Sequence, residues 1–121
     1  MHRSKLVGFV IDCQDGDLDA SARFWSSALG RKVVSTEGSY ASLERRPGDL
    51  HMLVQKVDHP SRVHLDIEAD DVEAEVQRLE GLGARRVQKI QTWWVLEAPT
   101  GQRFCVVRPQ DGPLGDDANT W

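Results

Sequence analysis

Cysteine is scarce in this chain: only Cys13 and Cys105 occur in 121 residues. Chains below about 70 to 80 residues usually need disulfide or metal staples; this one is longer, so neither thiol carries an obligatory structural load. No apolar run approaches the ~20 residues that a membrane helix requires, and no charged n-region precedes an apolar h-region. These absences lead to the expectation of a cytoplasmic protein with reduced thiols. Positive charge is also limited. Fifteen Lys and Arg against nineteen Asp and Glu leave a net charge of −4, and the basic residues are scattered in pairs such as Arg45-Arg46 and Arg85-Arg86. A nucleic-acid surface would want a clustered basic stripe, so neither nucleic acid nor membrane is expected as a partner. A Gly-x-Gly-x-x-Gly turn and a phosphate loop are missing too, which speaks against a Rossmann cofactor enzyme and a kinase.

What the chain does have is a repeat. At an offset of 54 (64 − 10), Val10 pairs with His64, Asp12 with Asp66, Asp17 with Asp71 and Ala20 with Ala74, without a gap to Trp25 and Leu79. One residue then drops out, and at an offset of 53 (82 − 29) Leu29 pairs with Leu82, Gly30 with Gly83, Leu43 with Leu96 and Gly48 with Gly101. Two copies at so long a period exclude a solenoid and predict one pseudo-symmetric domain with a site between its halves. At 40% hydrophobic and 28% charged, the composition suits one soluble globular domain.

Each copy opens with a strand and a helix. Residues 6–13 are apolar and β-branched and stop at Gln14-Asp15-Gly16-Asp17; Asp17 then caps a helix whose stripe is Leu18, Ala22, Trp25 and Leu29, ended by Gly30. In the second copy His64 to Glu68 is the strand. Asp70-Asp71 caps the next helix, with Glu73 in a box-like position, Val72, Val76, Leu79 and Leu82 as stripe and Gly83 as stop. Three β-leaning runs follow each helix, at 31–36, 39–45 and 50–57, then 85–90, 92–97 and 103–108, with Pro47-Gly48 and Pro99-Thr100-Gly101 as turns. The predicted order is βαβββ twice: a single domain over 1–109, with modules at about 5–58 and 62–109, and a flexible acidic tail over 110–121.

A strand covered by a helix on one face should alternate. Leu65 and Ile67 then point to the helix, and His64, Asp66 and Glu68 point away. By the repeat, Val10 and Asp12 share the inner face while Phe9, Ile11 and Cys13 pack outward. The final strands pair Met52 with Cys105 and Val54 with Val107, all four placed inward, with Phe104 and Val106 in the helix layer. Trp93 and Trp94 are adjacent on a strand, so one faces the helix layer and the other offers a flat apolar wall on the opposite side.

Taken with the doubled order of elements, Ile11-Asp12-Cys13, Ala22-Arg23-Phe24-Trp25 with Leu29-Gly30, Val63-His64-Leu65-Asp66 and Pro99-Thr100-Gly101-Gln102-Arg103-Phe104-Cys105 resemble the vicinal oxygen chelate superfamily. That group includes glyoxalase I, bleomycin-resistance proteins and extradiol dioxygenases, and the chain is most similar to its short glyoxalase-like branch. The resemblance implies an α+β fold in which two βαβββ modules, in pseudo-twofold repeat, form a curved mixed sheet cup. Homodimers are expected, since relatives often pair across sheet edges. In metal-using relatives four inner side chains, from the first and last strand of each half, hold a divalent ion. Position by position these become Val10, Met52, His64 and Cys105. Val has no lone pair, and Met is a soft ligand unsuited to oxygen and nitrogen sites. His64 and Cys105 alone would hold Zn weakly, with Asp12 or Asp66 as a third donor.

The leading expectation is therefore a protein that binds a small apolar or aromatic molecule in the cup without a catalytic metal. His64 and Asp66 are the candidate catalytic or orienting groups, and Val10, Asp12, Met52, Val54, Trp93, Trp94, Cys105 and Val107 the candidate lining. A His among carboxylates is poised for proton transfer, although a hydrogen-bonded cup-lining His, hydrated carboxylates and a Cys105 that only packs are equally simple readings. Arg103, near the expected mouth, is a candidate for an anionic ligand. Two alternatives stay open: a metal-dependent lyase, isomerase or dioxygenase of the glyoxalase type, with the ion on His64 and Cys105, and a non-catalytic interaction module. Whether any reaction is catalysed is not written in the sequence, and a superfold does not fix a function.

Overall fold

A computed structural model describes residues 1–121. Its elements are β1 (Arg3–Cys13), α1 (Leu18–Leu29), β2 (Val33–Glu37), β3 (Tyr40–Leu43), β4 (His51–Lys56), β5 (Arg62–Ala69), α2 (Val72–Gly81), β6 (Arg85–Ile90), β7 (Trp93–Glu97), β8 (Arg103–Val107) and β9 (Asn119–Thr120). The βαβββ order occurs twice, as the repeat predicts, in an α+β fold of mixed parallel and antiparallel strands. Neither helix is long and apolar enough to cross a membrane.

Two compact units divide the chain. In the first, Gly8–His64, the strands run in the order β2, β3, β4, β1, with β1 and β4 parallel and the others antiparallel. Helix α1 starts where Asp17 accepts a 2.7 Å hydrogen bond from the Ala20 amide and stops at Gly30, whose φ of 65° is left-handed. Its apolar stripe closes a core of Ala22, Ala41, Leu43 and Val54, with Cys13, Leu18, Trp25 and Met52 packed against it. Leu29, the last stripe member, lies at the helix end and stays exposed.

The second unit joins Met1–Val7 to Leu65–Trp121, with strand order β5, β8, β7, β6. Asp71 caps α2, accepting from the Ala74 amide at 3.0 Å. Glu73 does not complete a capping box; its carboxylate is drawn instead to the Arg86 guanidinium at 2.7 and 3.0 Å. The core is Ala69, Val76, Leu96 and Val106, with Val72, Leu79, Trp94 and Phe104 against it. Leu82 falls beyond the last helical turn and is exposed.

Residues 110–121, expected as a flexible tail, run back over this unit. Asn119 and Thr120 pair with Ser4 and Arg3 on β1, and Lys5 meets Asp117 at 2.9 Å. The Trp121 indole donates to the Ser4 hydroxyl at 2.8 Å and stacks 3.6 Å from the Arg78 guanidinium carbon. Beneath them the Glu75 carboxylate, fully buried on α2, accepts from Ser4 Oγ at 2.7 Å and from Arg78 at 2.8 and 2.9 Å, and meets His2 Nε2 at 2.7 Å. A Gly- and Pro-rich composition thus ends in an aromatic anchor whose contacts order it.

Candidate functional site

Neighbouring residues of paired strands share a face, so the register decides which side chains look away from each helix. In the first unit Phe9 lies beside Met52 and Ile11 beside Val54, on the helix side; Val10 lies beside Leu53 and Asp12 beside Gln55, on the open side. The placement of Met52 and Val54 as inner-face lining is therefore corrected: both pack towards α1, and Val54 is fully buried. In the second unit Leu65 and Ile67 lie beside Phe104 and Val106 on the helix side, and Asp66 and Glu68 beside Cys105 and Val107 on the open side, as expected.

The error comes from a second dropped residue. Leu43 and Leu96 are equivalent core positions, but the step to the open side of the last strand is ten residues in the first half (Leu53) and nine in the second (Cys105). A slip of one residue turns every side chain of a strand over. The position matching Cys105 is Leu53, not Met52.

The tryptophans separate by the same rule. Trp94 lies beside Val106 in the helix layer, with Arg86 stacked 4.8 Å from its ring, and borders a polar cleft of about 560 Å³ with Asp70, Glu73, Lys89 and Arg108. Trp93 alternates to the open face with Val95 and Cys105. Arg103 does not stand ready for a ligand: Glu97 holds it at 2.9 Å. The Glu97 carboxyl is kept below its usual range first by the Arg85 hydrogen bond, which with that of Arg103 outweighs desolvation.

The polar centre of the first unit is Asp12. Its side chain is 1% exposed, and Oδ2 accepts from His64 Nδ1 at 2.8 Å. Because a carboxylate offers only lone pairs, His64 Nδ1 carries the proton of this bond. Arg62 Nε stands 3.7 Å and His59 Nε2 4.0 Å from the same Oδ2, while Oδ1 is buried without a hydrogen-bond partner. Arg62 and His59 are not among the site residues expected from the sequence. The alternation that singles out His64 and Asp66 also places Arg62 on their face, and only folding of the 58–61 turn brings His59 there. Val10 is 1% exposed, so it offers no surface to a ligand.

His64, Asp66 and Cys105 present ligand atoms within 4.8 Å of one another. The four positions that hold an ion in metal-using relatives correspond here to Val10, Leu53, His64 and Cys105, and two of these have no donor atom. The residues present do not fit that four-ligand set.

A family model described as the glyoxalase-like domain matches residues 8–107. The chain belongs to the glyoxalase-like domain family. No curated protein matches the chain in sequence. Among solved structures, this glyoxalase-like chain is similar to a hypothetical protein from Bacillus halodurans C-125 (TM-score 0.69, 14% identity, covering 93% of this chain and 99% of that one). It is also similar to methylmalonyl-CoA epimerase from Mycobacterium tuberculosis (0.64, 18%, 87% and 87%) and to the Mn(II)-bound glyoxalase from Novosphingobium aromaticivorans (0.61, 17%, 96% and 44%). At these identities the likeness is one of fold, that of the vicinal oxygen chelate superfamily.

Proposed function

We propose that this glyoxalase-like protein binds a small organic molecule at the Asp12–His64 pair and does so without a catalytic metal. The observation that carries the reading is the buried Asp12 carboxylate fixing the His64 ring at 2.8 Å. A ring whose Nδ1 is anchored on a buried carboxylate is fixed in orientation, so a ligand meets a preorganised side chain.

Thermal denaturation of the chelator-treated full chain against a panel of metabolites and aromatic compounds tests this. A true ligand at 100 times its Kd adds about 2.7 kcal/mol, and His64→Ala is expected to remove that gain. A gain that survives in both His64→Ala and Asp12→Ala would sink the proposal.

A second reading is favoured by the His64, Asp66 and Cys105 group: three donors of nitrogen, oxygen and sulfur suit Zn in a three-ligand site with an open position. It predicts metal retained at one equivalent by the purified protein and lost in Cys105→Ala. Stabilisation that requires added Zn would replace the first reading by this one.

A further inference from the structure

The second unit leaves two of its cations without an acceptor. Arg3, Lys5, Arg78, Arg85, Arg86 and Arg103 each donate to a carbonyl or a carboxylate of the same unit. Lys89, near the end of β6, and Arg108, just beyond β8, are exposed and make no ion pair, and both line the cleft bordered by Trp94. Three carboxylates line that cleft as well, from the stretch leading into α2: Asp70, Asp71 and Glu73. Glu73 gives both oxygens to Arg86 and feels Lys89 only as a more distant charge. Asp70 and Asp71 each commit one oxygen, to the Arg3 and Ala74 amides, which leaves Oδ2 of both uncommitted. Opposite charges thus share one cleft of about 560 Å³ without closing on each other. Trp94 is held against the core and flanked by Arg86 at 4.8 Å from its ring, so its cleft surface is a rigid aromatic wall.

We propose that this cleft is a second binding site, for a small zwitterion of the amino-acid type with an aromatic or apolar side chain. Its carboxylate is taken by Lys89 and Arg108, its ammonium by the Oδ2 atoms of Asp70 and Asp71, and its side chain by Trp94. A plain anion would meet the carboxylates and a plain cation the two bases, so only a molecule carrying both signs is complementary to the whole lining. The volume lies within the range of about 300–1,000 Å³ usual for small-molecule sites. All of these residues belong to the second unit, and none is part of the Asp12–His64 pair.

Three matched probes test this on the full chain: phenylalanine, 3-phenylpropanoate and phenethylamine, which carry the same ring with both charges, the carboxylate alone or the ammonium alone. NMR titration follows the Trp94 indole N–H, the amide of Thr92, which also lines the cleft, and the His64 imidazole. Phenylalanine is expected to shift the Trp94 and Thr92 signals saturably and to bind about fivefold more tightly than either other probe, the upper yield of a solvent-exposed ion pair. Lys89→Gln with Arg108→Gln, at exposed positions without partners, should lower phenylalanine affinity to that of phenethylamine. Asp70→Asn with Asp71→Asn should lower it likewise, while keeping the oxygens that accept from the Arg3 and Ala74 amides. Equal binding of the three probes, or phenylalanine affinity unaltered in either double variant, overturns the proposal. Tighter binding of 3-phenylpropanoate than of phenylalanine also overturns it, in favour of an anion site. No saturable shift with any probe does the same and marks the cleft as solvated surface. A shift at His64 without one at Trp94 overturns it while supporting binding at the Asp12–His64 pair.

Discussion

Glu75→Ala is expected to lower the unfolding free energy by about 3–5 kcal/mol, the usual cost of removing one partner from a buried ion pair. The carboxylate is fully buried and serves Arg78, His2 and Ser4 together. Its loss leaves the Ser4 hydroxyl, in a residue 2% exposed, and the partly buried Arg78 and His2 without their acceptor. The stacking of Trp121 on Arg78 depends on the same guanidinium being fixed. In a chain of this size a loss of that magnitude lowers Tm on the order of 10 °C or more. Denaturant unfolding, with Trp121 fluorescence as a second probe, measures it; a loss under about 1 kcal/mol would show that the cluster is dispensable.

The same group gives the protein an acid limit. Burial pushes the Glu75 carboxyl up, but hydrogen bonds from Arg78, His2 and Ser4, with the Arg78 charge, outweigh it and hold the pKa at about 2 against 4.5. The unfolded chain therefore takes up the proton more readily than the folded one. The stabilisation is complete above pH 4.5 and is lost as pH falls towards 2; at 1.36 kcal/mol per unit it amounts to about 3 kcal/mol. Other carboxylates are lowered as well, among them Glu73, Glu97 and Asp117, so the difference between wild type and Glu75→Gln is the informative quantity. That difference should shrink steadily from pH 5 to pH 2. A difference independent of pH would assign the cost to packing instead of charge.

Helix positions, the doubled βαβββ order and the helix stripes apart from Leu29 and Leu82 were legible in the sequence, because a period of 3.6 or 2 and a cap such as Asp17 or Asp71 are local signals. The site was legible only in part. The shared face of His64, Asp66 and Cys105 follows from the alternation of side chains along β5 and β8. Met52 and Val54 do not, because a single extra residue between Leu43 and Leu53 leaves no mark in composition yet inverts the strand. Pairings across many residues, Asp12 with His59 and Arg62 or Glu75 with His2 and Ser4, have no local signature. For the same reason the tail's anchor at Trp121 lay beyond a compositional reading.

The approach of β1 to β4 governs both the register and Asp12, and Gly8 permits that approach. Gly8 lies beside His51, where an added Cβ would fall on the His51 carbonyl oxygen and within 2.9 Å of its carbonyl carbon and Cβ. The obstacle is backbone and cannot swing aside, so Gly8→Ala must part the two parallel strands. A cost of about 3 kcal/mol or more follows, at the upper end of overpacking. Gly38→Ala separates this steric cause from conformational strain: its φ is 59° with nothing within 4 Å of the added carbon, so only the left-handed penalty of about 1–2 kcal/mol applies. Hydrogen exchange distinguishes the two. Gly8→Ala should strip protection from amides along Gly8–Cys13 and His51–Lys56; Gly38→Ala should leave that ladder intact. A Gly8→Ala protein within 0.5 kcal/mol of wild type, with the ladder still protected, would mean that β1 and β4 do not meet in this register.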